Sequence, residues 1–247
     1  MTASTSDKVL KPLERIVDAI MLALFFLLFF VGGYALLDAH IVGSSADIDE
    51  DIKSIAPTSA DASFSLDELK QINPEIVGWL TIEDTNINYP VVQADNNSKY
   101  LTRDYRGDYS TAGAIFVDAR NDAFRDDYTI VYGHRMDGGK MFGDIEKFSE
   151  QTFFSNHAIG MLYTEDGAYT IEPVAYSIID ISEADVYRLD SYKTRSNDII
   201  LRHILQTARQ TTPYTYRAGD KFILLSTCDK DSKNYRDVLL FKATPKQ

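Results

Sequence analysis

One cysteine, Cys228, stands in 247 residues, so no internal disulfide can form. A lone thiol is then either an inert side chain in a core or a reactive group. Histidine is almost as scarce, with His40, His134, His157 and His203 the whole set. No His, Cys, Asp and Glu residues recur at ligand spacing, so neither a metal site nor another cofactor is expected. Positive charge is also short, with 25 Lys and Arg against 37 Asp and Glu and a net charge of −12. Such a chain lacks the basic face that nucleic-acid binding requires.

Charge is missing altogether from one stretch. Residues 19–37, "AIMLALFFLLFFVGGYALL", carry none, and 19 helical residues are enough to cross a bilayer core of about 30 Å. Lys8, Lys11 and Arg15 precede the run, and Asp38, Asp47, Asp49, Glu50 and Asp51 follow it. That bias predicts a cytoplasmic amino terminus and an extracellular remainder. The apolar run exceeds the h-region of a cleaved signal, and no clear Ala-X-Ala site follows it, so an uncleaved anchor is expected. The resulting division is a cytoplasmic tail at 1–15, a transmembrane anchor at 16–37, a spacer at 38–63 and a folded domain at 64–247. The spacer is rich in Asp, Ser and Ala and has no aromatic residue, although Ile48, Ile52 and Ile55 would share one face of a short helix.

The remaining residues suit one domain with a substantial core. Ser65 and Glu68 form a capping-box start for a short helix. After it come eight runs rich in Val, Ile, Tyr and Phe: "VGWLTI", "INYPVVQ", "GAIFVDA", "YTIVYGH", "IGMLYTE", "AYTIEPVAYSIID", "KFILLSTC" and "VLLFKA". Turn residues separate most of them, which predicts a mostly β domain closed as a barrel or packed as a sandwich. One long interruption, 182–219, contains a helix expected over 195–210, capped by Ser196 or Asn197, with Ile200, Ile204, Leu205 and Ala208 on its apolar stripe.

Acyl transfer by a thiol needs an acid–base group and donors for the developing oxyanion. His134 ends a β-like run and opens into the Gly-rich "RMDGGKMFG", a suitable place for a catalytic side chain. The plain alternative is a turn histidine with a local hydrogen bond. His40 lies beside the membrane, His157 in a loop and His203 within the 195–210 helix, all poorer candidates. Arg236 follows Cys228 by eight residues, and a hairpin between the last two runs would return its guanidinium to the thiol. Its plain alternative is a solvated charge.

Together, "YGH", "LLSTC" and "YRDVLLFKA" resemble the sortase family of cysteine transpeptidases, most closely class B. Four of five positions agree with that family's Thr-Leu-X-Thr-Cys signature, the departure being Leu224. "INPEIVGWLTIEDTNINYPVVQADNNSKYL" and "IVYGHRMDGGKMFGDIEKF" extend the likeness, so that it covers about 66–243. The resemblance implies a closed sortase-type barrel of about eight strands, with an N-terminal helix and a helical insertion before the cysteine strand. It implies that Cys228 attacks a carbonyl in a C-terminal sorting signal, that His134 moves the proton, and that Arg236 holds the oxyanion or signal backbone. It also places Asn97, Leu101, Tyr132, Ser226, Thr227 and Asp229 near the substrate groove. The implied partners are sorting-signal-bearing surface proteins, and a peptidoglycan precursor or another amine nucleophile. The membrane is met through the N-terminal helix, and no nucleic acid is involved. Two other readings stay open: a pilin-polymerising sortase, and a membrane-anchored wall-binding β-domain with an inert Cys228. The segment 38–65 carries no Asp-Pro-aromatic lid motif, which counts against the pilin reading.

Overall fold

The computed structural model describes residues 5–57, 66–156, 159–182, 185–187, 189, 197–228 and 234–246. The chain forms two units, Met1–Ser44 and Ser45–Gln247. The first is a single helix, α1 (Thr5–Ser44). Its stretch Glu14–Ala39 is long and apolar enough to cross a membrane and is buried nowhere in the unit. A helix that is apolar on every face has no water-facing side, which suits a lipid surround.

In the second unit the eight β-like runs become strands. They are β1 (Ile76–Ile82), β2 (Asn88–Val92), β3 (Ile115–Val117), β4 (Tyr128–Tyr132), β5 (Gly160–Thr164), β6 (Gly167–Asp180), β8 (Lys221–Cys228) and β9 (Tyr235–Pro245). They pair in the order β5-β1-β2-β3-β4-β8-β9-β6, and β6 pairs back to β5, so the sheet closes into an eight-stranded barrel. A ninth strand, β7 (Ala208–Thr211), pairs with β6 outside the ring. Its four residues alternate between half-buried and exposed and carry no apolar run, so local pattern gave no sign of it.

The continuous apolar run of β8 has a structural cause. Ile223 and Leu225 point into the main core with Trp79, Val91, Leu239 and Phe241. Phe222 and Leu224 point the other way, into a second cluster with Ile130, Val238 and Leu240. That outer face is covered by α5 (Asn197–Thr207), whose Ile200, Leu201 and Ile204 are buried in the same cluster. A strand covered on both faces loses the apolar–polar alternation of a half-exposed one. The helix expected over 195–210 is therefore shorter, because 208–211 leave it to pair as β7, and 195–196 lie outside the described residues.

Ser65 also lies outside the described residues. The short helix α3 (Asp67–Ile72) begins after Leu66. The stretch read as spacer is partly built into the domain. It forms α2 (Glu50–Ser54), and Ala46, Ile48 and Ile52 are buried in the main core. Asp47 pairs with Lys140, and Asp49 and Asp51 pair with Arg106. Acidic composition suggested a solvated linker, whereas distant cations and the buried side chains of Ala46, Ile48 and Ile52 hold the segment down. The Gly-rich stretch after β4 forms two 3-10 turns, Asp137–Gly139 and Gly143–Ser149, followed by α4 (Gln151–Asn156).

Candidate active site

Three adjacent strands, β4, β8 and β9, carry the residues singled out for chemistry. β4 and β8 run parallel with Tyr132 opposite Ser226, and Gly133 N–H bonds Ser226 O at 3.3 Å. Two residues beyond that pair stand His134, just past the end of β4, and Cys228, the last residue of β8. On the far side β9 runs antiparallel to β8 and sets Arg236 directly opposite Cys228. Neighbouring strands lie about 4.8 Å apart, so cysteine, histidine and arginine occupy one end of three consecutive strands.

At that end opens a cavity of about 280 Å³, lined by Asn97, Leu101, Phe116, Tyr132, Gly133, His134, Ser226, Thr227 and Arg236. Every residue expected at the groove from sequence lines it, except two. Cys228 is the residue after Thr227 on β8, and Asp229 lies outside the described residues. Among the described residues His134 is the histidine that lines this cavity. His203 is on α5, His40 is on α1, and His157 lies outside the described residues.

The imidazole is held by backbone. His134 Nε2 lies 2.8 Å from Leu101 O, on the short turn Lys99–Leu101. Gly113 packs against the same turn in a left-handed conformation (φ 62°), where a Cβ would lie 2.6 Å from Tyr100 O and 3.0 Å from His134 Cδ2. Glycine is therefore required there on two grounds, backbone conformation and space. The Arg236 guanidinium donates to Tyr235 O at 2.8 Å and remains half-buried at the cavity wall. Behind the site, Arg135 pairs with the buried Asp237 at 3.3 Å and also with Glu146. Tyr176 donates to Asp237 at 2.5 Å. This ion pair joins the chain beside His134 to the chain beside Arg236.

A second polar cluster lies under the part of the wall formed by Asn97 and Tyr132. Asp118 is fully buried and accepts hydrogen bonds from Asn97, Tyr132 and Arg120. Burial pushes its carboxyl up, but the bonds from Arg120 and Tyr132 outweigh that and hold the pKa below the ordinary aspartate value. Burial, and after it the Asp118 charge, raises the pKa of the Tyr132 phenol, which therefore stays protonated. Tyr187 stacks on Tyr132, and its hydroxyl lies 2.8 Å from Ser226 Oγ. Sequence reading found neither Asp118 nor Tyr187. The only local sign was a carboxylate closing the apolar run "GAIFVDA", and its partners are remote in sequence.

The site is a groove with a thiol-bearing strand end, an imidazole and a guanidinium, and among the described residues no cluster is placed to hold a metal ion. This arrangement suits acyl transfer. Comparison with known proteins points the same way. The sortase domain family matches residues 80–246. Sortase B of Listeria monocytogenes is 35% identical over 188 residues, covering 73% of this chain and 74% of that protein. A Bacillus anthracis structure described as similar to sortase B shares 32% identity with a TM-score of 0.65, covering 86% of this chain and 98% of that one. A Streptococcus pyogenes class B sortase involved in pilus biogenesis shares 29% identity with a TM-score of 0.67, covering 74% and 100% respectively. Barrel, groove and family match thus converge, and the chain belongs to the sortase family of cysteine transpeptidases, in its class B.

Proposed function

We propose that the protein is an extracellular, membrane-anchored transpeptidase that attaches surface proteins to an amine of the cell wall. In this reading Cys228 attacks the carbonyl carbon of a peptide bond in a C-terminal sorting signal. The new S–C bond replaces the scissile C–N bond, and His134 gives a proton to the departing amine. Arg236 faces the oxygen that becomes negative in the tetrahedral intermediate. An incoming amine then loses a proton to His134, attacks the thioester and releases the thiolate. The observation that carries this is the strand register: β8 sets Cys228 opposite Arg236, and β4 delivers His134 to the same end of the barrel.

α1 supplies the anchor, with its amino end in the cytoplasm by the Lys and Arg bias ahead of its apolar run. The cavity walls, with Leu101, Phe116 and Tyr132 beside Asn97 and Ser226, suit a short extended peptide with mixed polarity. Thr227 adds a buried hydroxyl with no hydrogen-bond partner among the described residues. Asp229, expected near the groove, stays a proposed substrate contact on the family resemblance alone.

The test is incubation of the full chain, in detergent, with a library of short peptides, followed by intact mass. The expected result is an acyl adduct on Cys228 that is absent from Cys228→Ala. Release of that adduct by wall-type amines, and not by a lysine-bearing pilin, separates wall attachment from pilin polymerisation. Absence of any adduct across the library would overturn the transpeptidase reading.

A further inference from the structure

Asp118 follows β3 and is fully buried, yet the side chains its carboxylate holds line the groove or lead to it. Its Oδ2 accepts from Asn97 Nδ2 at 3.0 Å, from Tyr132 OH at 2.9 Å and from Arg120 Nη2 at 2.8 Å. Its Oδ1 accepts from the backbone N–H and the Nε of Arg120, both at 2.9 Å. Arg120 Nη2 reaches on to Tyr187 O at 2.9 Å, and the Tyr187 hydroxyl meets Ser226 Oγ. One carboxylate thus holds two groove residues directly and a third through Arg120.

Hydrogen-bond accounting shows what this does to the groove. Asn97 Oδ1 accepts from Ala119 N at 2.7 Å, while one Nδ2 hydrogen goes to Asp118. Flipping the amide would set its oxygen against a carboxylate and its NH₂ against an N–H. Its orientation is therefore locked, and it keeps one N–H to give. Tyr132 spends its only proton on Asp118, so its oxygen has only lone pairs left. The wall carries a fixed donor at Asn97 and a fixed acceptor at Tyr132.

We propose that Asp118 is the positioning residue of the peptide groove, holding Asn97 as donor and Tyr132 as acceptor toward the C=O and N–H of a bound extended peptide. The inference rests on the transpeptidase reading above, and the buried anion makes the polarity permanent. A protonated or neutral residue at 118 would free the tyrosine proton and let the asparagine amide turn.

The experiment uses the full chain in detergent and, as substrate, a fluorogenic form of the library peptide that best acylates Cys228. Asp118→Asn preserves size and removes the charge. The expected result is a KM raised about tenfold with kcat within about threefold, and Cys228 labelled by a methanethiosulfonate reagent at the wild-type rate. A merely structural role would lower the folded fraction and kcat while leaving KM unchanged, and that outcome overturns the proposal. So does a wild-type KM. If Asp118→Asn fails to fold, Tyr132→Phe and Asn97→Ser decide. Joined through one carboxylate, their effects on KM are less than multiplicative when combined, and fully multiplicative effects would refute the link. A wild-type chain that acylates no peptide removes the transpeptidase reading itself, a failure distinct from an Asp118 variant that behaves as wild type.

Discussion

Replacing Asp237 by alanine should be among the most damaging single changes in the domain. The residue is 2% exposed, and its partners include Arg135 at 3.3 Å and the buried Tyr176 hydroxyl at 2.5 Å. Removing one member of a buried ion pair costs about 3–5 kcal/mol, because the partner charge stays behind without compensation. Arg135 keeps Glu146, which lowers that figure, but Tyr176 loses its acceptor, which adds about 1–3 kcal/mol. The two effects are not additive, and about 3–5 kcal/mol is the working total. For a domain of this size each kcal/mol moves Tm by about 2–4 °C, so a fall of about 6–20 °C is expected in a circular-dichroism melt. Asp237→Asn keeps an acceptor for Tyr176 and should fall between alanine and wild type. Glu165→Ala is the control. Its carboxylate is exposed and pairs with Lys70 and Arg125 at the surface, where water and salt screen such pairs, so its melt should match wild type. If Asp237→Ala melts within about 3 °C of wild type, the pair is not the strut behind the site, and the argument from burial fails.

Gly113→Ala should cost about 1–3 kcal/mol from the positive φ alone and lower kcat as well. The added methyl meets Tyr100 O and pushes on the turn whose Leu101 O holds His134, so turnover relative to folded protein is the measurement. Ile204→Ala, on the buried stripe of α5, should cost about 2–5 kcal/mol in urea unfolding by emptying the cluster outside β8. The acid limb of stability should depend on Asp118. Its folded pKa lies below the unfolded value, so its contribution is present above about pH 4 and is lost as pH falls through the folded pKa. The stability gap between wild type and Asp118→Asn should therefore be widest near neutral pH and close below about pH 4. A gap independent of pH would contradict this.

The sequence was informative wherever the determining contact is local. Strand runs declare themselves by β-branched and aromatic residues between turn residues, and all eight barrel strands fell on such runs. α5 was visible through Ile200 and Ile204, although its end was not, because pairing of 208–211 with β6 competes with helix continuation there. Residues 45–57 were misleading in a related way. Their acidic composition suggested solvent, and only the positions of Lys140 and Arg106, far along the chain, make them part of the domain.

Composition, the apolar run near the amino terminus, the lone thiol and the eight strand patterns were thus determined by the sequence itself, since each depends on neighbours a few residues apart. Tertiary structure alone decided that β4 lies parallel to β8, that this brings His134 level with Cys228, and that Asp118 sits beneath Asn97 and Tyr132. Those facts depend on which distant segments pair. A strand's pattern states that it has a buried face, but not which strand will lie beside it.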